Sequence, residues 1–102
     1  MTAGSRNQII KVFQDSLAAL QRPGNEFLWS GWNDHAEASA EIQGIIDELE
    51  AGKDPESARM TVLFAPTGPI QEVSMASGWS AEFMQLANRF DSAIAAFAAV
   101  SK

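Results

Sequence analysis

Cysteine and tyrosine are absent from this 102-residue chain, and histidine occurs once. Without cysteine there is no disulfide, no thiol nucleophile and no zinc site built on thiolates. Basic residues are scarce, with seven Lys and Arg against 13 Asp and Glu and a net charge of −6. That balance argues against non-specific nucleic-acid binding, which needs a basic footprint, and against docking on anionic lipid. Long apolar runs are also missing; none approaches the roughly 18 residues of a membrane span. The opening MTAGSRNQII lacks the continuous apolar segment of a secretory signal, so the expected compartment is cytoplasmic.

The composition is 46% hydrophobic and 20% charged, which is globular rather than disordered. A single domain is expected, large enough to bury roughly 60–65% of its unfolded surface without staples.

The most distinctive stretch is RMTVLFAPTGPIQEVSMASGW, residues 59–79. Met60 to Ala65 is apolar and β-prone, as a strand buried on one face should be. Pro66-Thr67-Gly68-Pro69 then breaks it, because each proline fixes φ and lacks an N–H. Gly68 is suited to the positive φ of a tight turn. Beyond it Val73 and Met75 alternate with Glu72 and Ser74, so a second strand would send the first pair to the core. The pattern predicts a β-hairpin over 59–76. PTGP is either a plain turn or a presented binding loop.

Elsewhere helical spacing dominates. Ile9, Ile10, Phe13, Leu17 and Leu20 predict a helix over 6–21, with Ser5 and Gln8 as a capping box and Pro23-Gly24 as its stop. His35, Ala38, Ile42, Ile45, Ile46 and Leu49 predict a second helix over 33–50, with Gly52 just beyond its end. Phe83, Ala87, Phe90, Ile94 and Phe97 predict a last helix over 80–99. Its alanine-rich end suggests burial against a second subunit. NEFLWS supplies a candidate third strand at 26–30. The expected fold is therefore α+β, three helices on a small two- or three-stranded sheet in the order α-β-α-β-β-α; the alternative is a helical domain decorated by one hairpin.

Ser30-Gly31-Trp32 recurs as Ser77-Gly78-Trp79, each copy just before a predicted helix. A shared mechanical role is expected. Glycine permits the sharp strand-to-helix bend, tryptophan plugs the sheet–helix junction, and Asn33 and Ser80 are available as N-caps. Trp79 and Met84 would then form a hydrophobic staple.

No catalytic, cofactor or metal signature emerges. His35 lacks a nucleophile placed by any motif, and its place on the apolar stripe suggests a half-buried structural histidine. Asp34, Glu37, Glu41 and Glu48 lie along one helix face. A convex ridge does not converge on a cation, so it reads as a solvated face or a surface for a basic partner. The two Gly-Trp helix starts carry Asp34 and Glu82, which repel phosphate. Trp29, Trp32, Trp79, His35 and Phe97 are the candidate ligand or interface residues, around a pocket or at a homodimer contact.

LFAPTG at 63–68, QEVS at 71–74 and the two SGW triplets resemble a small group of uncharacterised bacterial proteins of about this length, over Phe27 to Phe97. The resemblance implies a bacterial, intracellular origin. The group has no assigned activity, so it assigns no residue a role. The leading functional expectation is a non-enzymatic interaction or regulatory module, self-associating as a homodimer or binding another protein. The alternatives are a small-molecule-binding protein with a Trp-lined cavity and an acidic antitoxin- or immunity-like protein that neutralises a basic partner.

Overall fold

Apolar residues three and four apart build this domain throughout. The computed structural model describes residues 2–100, with side chains over 4–98. Five helices occur among the described residues: α1 (Thr2–Leu20), α2 (His35–Glu50), α3 (Ser57–Phe64), α4 (Pro69–Ser77) and α5 (Ser80–Val100). No strand occurs among them. The expected α+β fold, the strand at 26–30 and the hairpin at 59–76 are thus overturned, and the domain is all-helical. The helical alternative is nearer, but its hairpin is absent too.

Which side chains are buried shows why. Met60, Leu63 and Phe64 are buried while Val62 between them is 55% exposed. That is an i, i+3, i+4 pattern, not a two-residue alternation. In α4, Ile70, Val73 and Ser74 are buried, whereas Met75 is 61% exposed. The strand reading had put Val73 and Met75 on one face; a helix separates them by about 200°. Pro69 does not interrupt a strand but occupies the first helical turn, where its missing N–H costs nothing. PTGP lies where the chain turns from α3 into α4. The positive φ there falls on Thr67, at 61°, and not on Gly68. Gly68 is needed for space: a Cβ would lie 2.6 Å from the Val62 carbonyl oxygen and 2.9 Å from that of Ala65.

Helices of eight and nine residues are too short to hold alone in water. Packing holds them. Phe64, at the end of α3, stacks on Phe90 with centroids 4.4 Å apart and on Phe83 at 6.5 Å. It also meets Phe13 at 5.4 Å, and Phe13 meets Phe90 edge-on at 5.9 Å. This cluster joins α1, α3 and α5, and such ring pairs contribute about 0.5–1.5 kcal/mol each beyond their buried area.

α1 and α5 lie antiparallel. Arg6 meets Phe97, Phe13 meets Phe90, Asp15 meets Arg89 and Arg22 meets Glu82, in opposite chain directions. α2 runs antiparallel to α1 on another side, with Arg6 near its end and Gln21 beside Ser39 near its start. Arg6 also ties down the segment after α2, donating to the Lys53 carbonyl at 2.7 Å and pairing with Asp54 at 2.5 Å.

The expected caps are partly redistributed. Ser5 lies buried inside α1 rather than capping it. At α2 the cap is Asp34, not Asn33; its carboxylate accepts from the Glu37 N–H at 3.0 Å, and Glu37 in return accepts from the backbone and side chain of Asn33. Ser80 is the first residue of α5 and so cannot be its N-cap, and Met84 is too exposed to staple Trp79.

Candidate functional site

Residues 26–30, within the segment between α1 and α2, were the candidate third strand. The segment is an irregular loop held by hydrogen bonds and buried side chains on both sides of Leu28 and Trp29. Asn25 closes the end of α1: its amide donates to the carbonyls of Ala19 at 2.8 Å, Leu20 at 3.1 Å and Arg22 at 3.2 Å. Its Oδ1 accepts from the Trp79 indole N–H at 2.8 Å. The Glu26 N–H donates to Ser77 Oγ at 2.9 Å. The loop that carries one Ser-Gly-Trp triplet is therefore bonded to the other triplet. Phe27 is buried and anchors the next turn, which closes where the Ser30 N–H donates to the Phe27 carbonyl at 3.1 Å. Ser30 Oγ accepts from the Trp32 N–H at 3.0 Å.

No strand precedes either triplet, so neither marks the expected sheet–helix junction, but the two share a local geometry. Gly31 and Gly78 both take positive φ, at 88° and 85°, a conformation that favours glycine. Trp32 and Trp79 both bury their rings and donate their indole N–H, Trp32 to Glu41 Oε1 at 3.2 Å and Trp79 to Asn25. Trp79 also lies under the Arg22 guanidinium, 5.8 Å from the ring centroid.

Between these anchors Leu28 and Trp29 point outward, 71% and 72% exposed. They are the most exposed large apolar side chains among the described residues. Of the five candidate ligand or interface residues, Trp29 alone is an exposed apolar group. Trp32, Trp79 and Phe97 belong to the core, Phe97 beneath Arg6 at 5.3 Å. His35 is exposed at the first position of α2, off the apolar stripe on which it was expected. The acidic ridge also divides. Asp34 caps α2, Glu37 braces Asn33 and Glu41 holds Trp32, while Glu48 pairs with Arg59 at 2.6 Å.

The surface grooves include three that lie away from Leu28 and Trp29, and none of the three is lined by tryptophan. The largest, about 630 Å³, lies between α1 and α5 over Val12, with Lys11 and Arg89 on its walls. A second, about 510 Å³, continues along the same seam past Asp15, Arg22 and Glu82. The third, about 350 Å³, lies between α4 and α5 beside Met75 and Met84. The seam carries the shifted acids. Partial burial pushes the Asp15 carboxyl up, but Arg89 at 2.8 Å and Lys11 at 3.2 Å outweigh it and hold it below its usual range. The two-pronged hydrogen bond from Arg22, 2.5 Å at its shorter arm, lowers Glu82 and raises Arg22 in turn.

Among the described residues no buried side-chain polar atom lacks a partner, no three His, Asp or Glu side chains converge as metal ligands would, and no helix is long and apolar enough to cross a membrane. Compared with known protein families, curated proteins and solved structures, the chain matches none. The resemblance drawn from LFAPTG, QEVS and the SGW triplets therefore brings no functional residue with it.

The exposure of Leu28 was not legible in the sequence. Adjacent Leu and Trp cannot both face a core from a strand, but nothing local says that both face water. Phe27 and Trp32, which flank them, take the buried places instead.

Proposed function

We propose that this chain is a non-enzymatic protein-interaction module that docks another protein through Leu28 and Trp29. The observation that carries this reading is an exposed Leu–Trp pair on a loop bonded down on both sides. Tryptophan dominates many interface hot spots. A loop held in shape before contact also loses little freedom on binding, which favours affinity. Burying a leucine side chain contributes about 1.5–3 kcal/mol, and a tryptophan presents still more area.

Self-association through the apolar end of α5 has less support, because Phe97 already packs within the chain under Arg6. The ligand-binding alternative rested on a cavity among the tryptophans, and the grooves lie elsewhere.

The test compares proteins cross-linked to the tagged full chain and to its Leu28→Ala/Trp29→Ala form in the native host. The reading expects a specific partner that is lost with the double variant, while helical circular dichroism and melting stay unchanged. Equal recovery by both forms would sink it.

A further inference from the structure

Resting on that docking reading, we infer that the partner at this loop is a positively charged protein segment with an apolar hollow or side chain for Leu28 and Trp29, and not a second copy of this chain. The argument is the distribution of charge. Between Gly24 and Gly52 the sequence contains no Lys or Arg, yet it carries Glu26, Asp34, Glu37, Glu41 and three further acids. The first four belong to the loop and the opening turns of α2: Glu26 accepts from the Leu28 N–H, and Asp34, Glu37 and Glu41 follow from the start of α2 onward.

Each of those four is held by neutral donors: Glu26 by the Leu28 N–H, Asp34 by the Glu37 N–H, Glu37 by Asn33, Glu41 by the Trp32 indole. Their hydrogen bonds fix their positions and leave their charge standing. The described cations are mostly occupied elsewhere. Arg6 pairs with Asp54, Lys11 and Arg89 with Asp15, Arg22 with Glu82, and Arg59 with Glu48. Arg22, the cation just before the loop, also lies over Trp79. The segment that carries the apolar pair thus bears negative charge that none of these ion pairs offsets at Glu26, Asp34, Glu37 or Glu41. Complementary charge at a rim steers encounter and selects partners. A second copy meeting the same surface would set four carboxylates against four, with most of its described cations already engaged.

The test titrates the isotope-labelled full chain with two amphipathic peptides of identical leucine pattern, one with lysine and one with glutamate at every polar position. The inference expects the lysine peptide to shift the Leu28 and Trp29 amides and the Trp29 indole saturably, and the glutamate peptide to shift neither. Leu28→Ala/Trp29→Ala should weaken the lysine peptide about tenfold or more, as loss of a hot spot does. Glu37→Gln/Glu41→Gln leaves one acceptor oxygen on each side chain but removes two charges, and should weaken it about fivefold while flattening its salt dependence. Binding of both peptides at the loop, or of the glutamate peptide alone, overturns the inference but leaves the docking reading standing. The same holds for concentration-dependent shifts of these amides without peptide, which would make a second copy the occupant. Binding of neither peptide, or lysine-peptide shifts that survive Leu28→Ala/Trp29→Ala, removes both.

Discussion

Replacing Asn25 by aspartate tests whether one side chain joins the end of α1 to the start of α5. The substitution keeps the shape and keeps an oxygen for the Trp79 indole, which Asn25 accepts at 2.8 Å. It removes the amide that serves three carbonyls between 2.8 and 3.2 Å. Two N–H donors are lost, at about 1 kcal/mol each. A carboxylate then faces the negative end of the α1 dipole, which costs a further ~0.3–1 kcal/mol. The expected destabilisation at neutral pH is therefore about 2.5 kcal/mol, or roughly 10–20 °C in melting temperature for a domain of this size. The introduced carboxyl is disfavoured when charged, so its pKa rises on folding. Its deficit is then largest above that raised pKa and shrinks as the pH falls and the group protonates. Urea denaturation followed by helical circular dichroism, at neutral and acid pH and each time against the parent chain, measures both effects. A loss below about 0.5 kcal/mol, or a deficit that does not change with pH, would refute the reasoning.

Gly68→Ala should destabilise by about 1–3 kcal/mol, since the new methyl meets two backbone carbonyl oxygens inside normal contact distance; a neutral result in denaturant titration would mean the turn yields easily. Thr67→Asn should stabilise by roughly 0.5–1 kcal/mol, because asparagine tolerates the left-handed backbone better than a β-branched residue; a lower melting temperature would count against strain at this position. Asp15 and Glu82 both have lowered carboxyl pKa values, so their contribution is present above the ordinary carboxylate range and is lost as the pH falls through the lowered values. Asp15→Asn should accordingly flatten the decline of stability in acid, and a profile parallel to the parent's would show that the Lys11 and Arg89 contacts carry no weight.

How much of this was legible from residue order varies by element. The long helices were, because their stripes repeat over about two to four turns: Ile9, Phe13 and Leu20 in α1, Ile42, Ile46 and Leu49 in α2, Phe83, Phe90 and Phe97 in α5. The Ser-Gly-Trp triplets were also readable, since a positive φ and a plugging ring are local properties. The expectation failed over 59–76, where five apolar residues and one threonine before PTGP satisfy a two-residue and a helical period almost equally well. β propensity decided the reading there, and propensity is weak beside packing.

What settles α3 and α4 is Phe64 reaching Phe13, Phe83 and Phe90, side chains from distant parts of the chain. The candidate site depends on such contacts even more. Sequence alone determined that the 24–52 segment is rich in acids and free of Lys and Arg, and that Trp29 lies within it. Only the tertiary structure turned Phe27 and Trp32 inward and Leu28 and Trp29 outward. It did so through Asn25 to Trp79 and Glu26 to Ser77, hydrogen bonds that span 54 and 51 residues and leave no local trace.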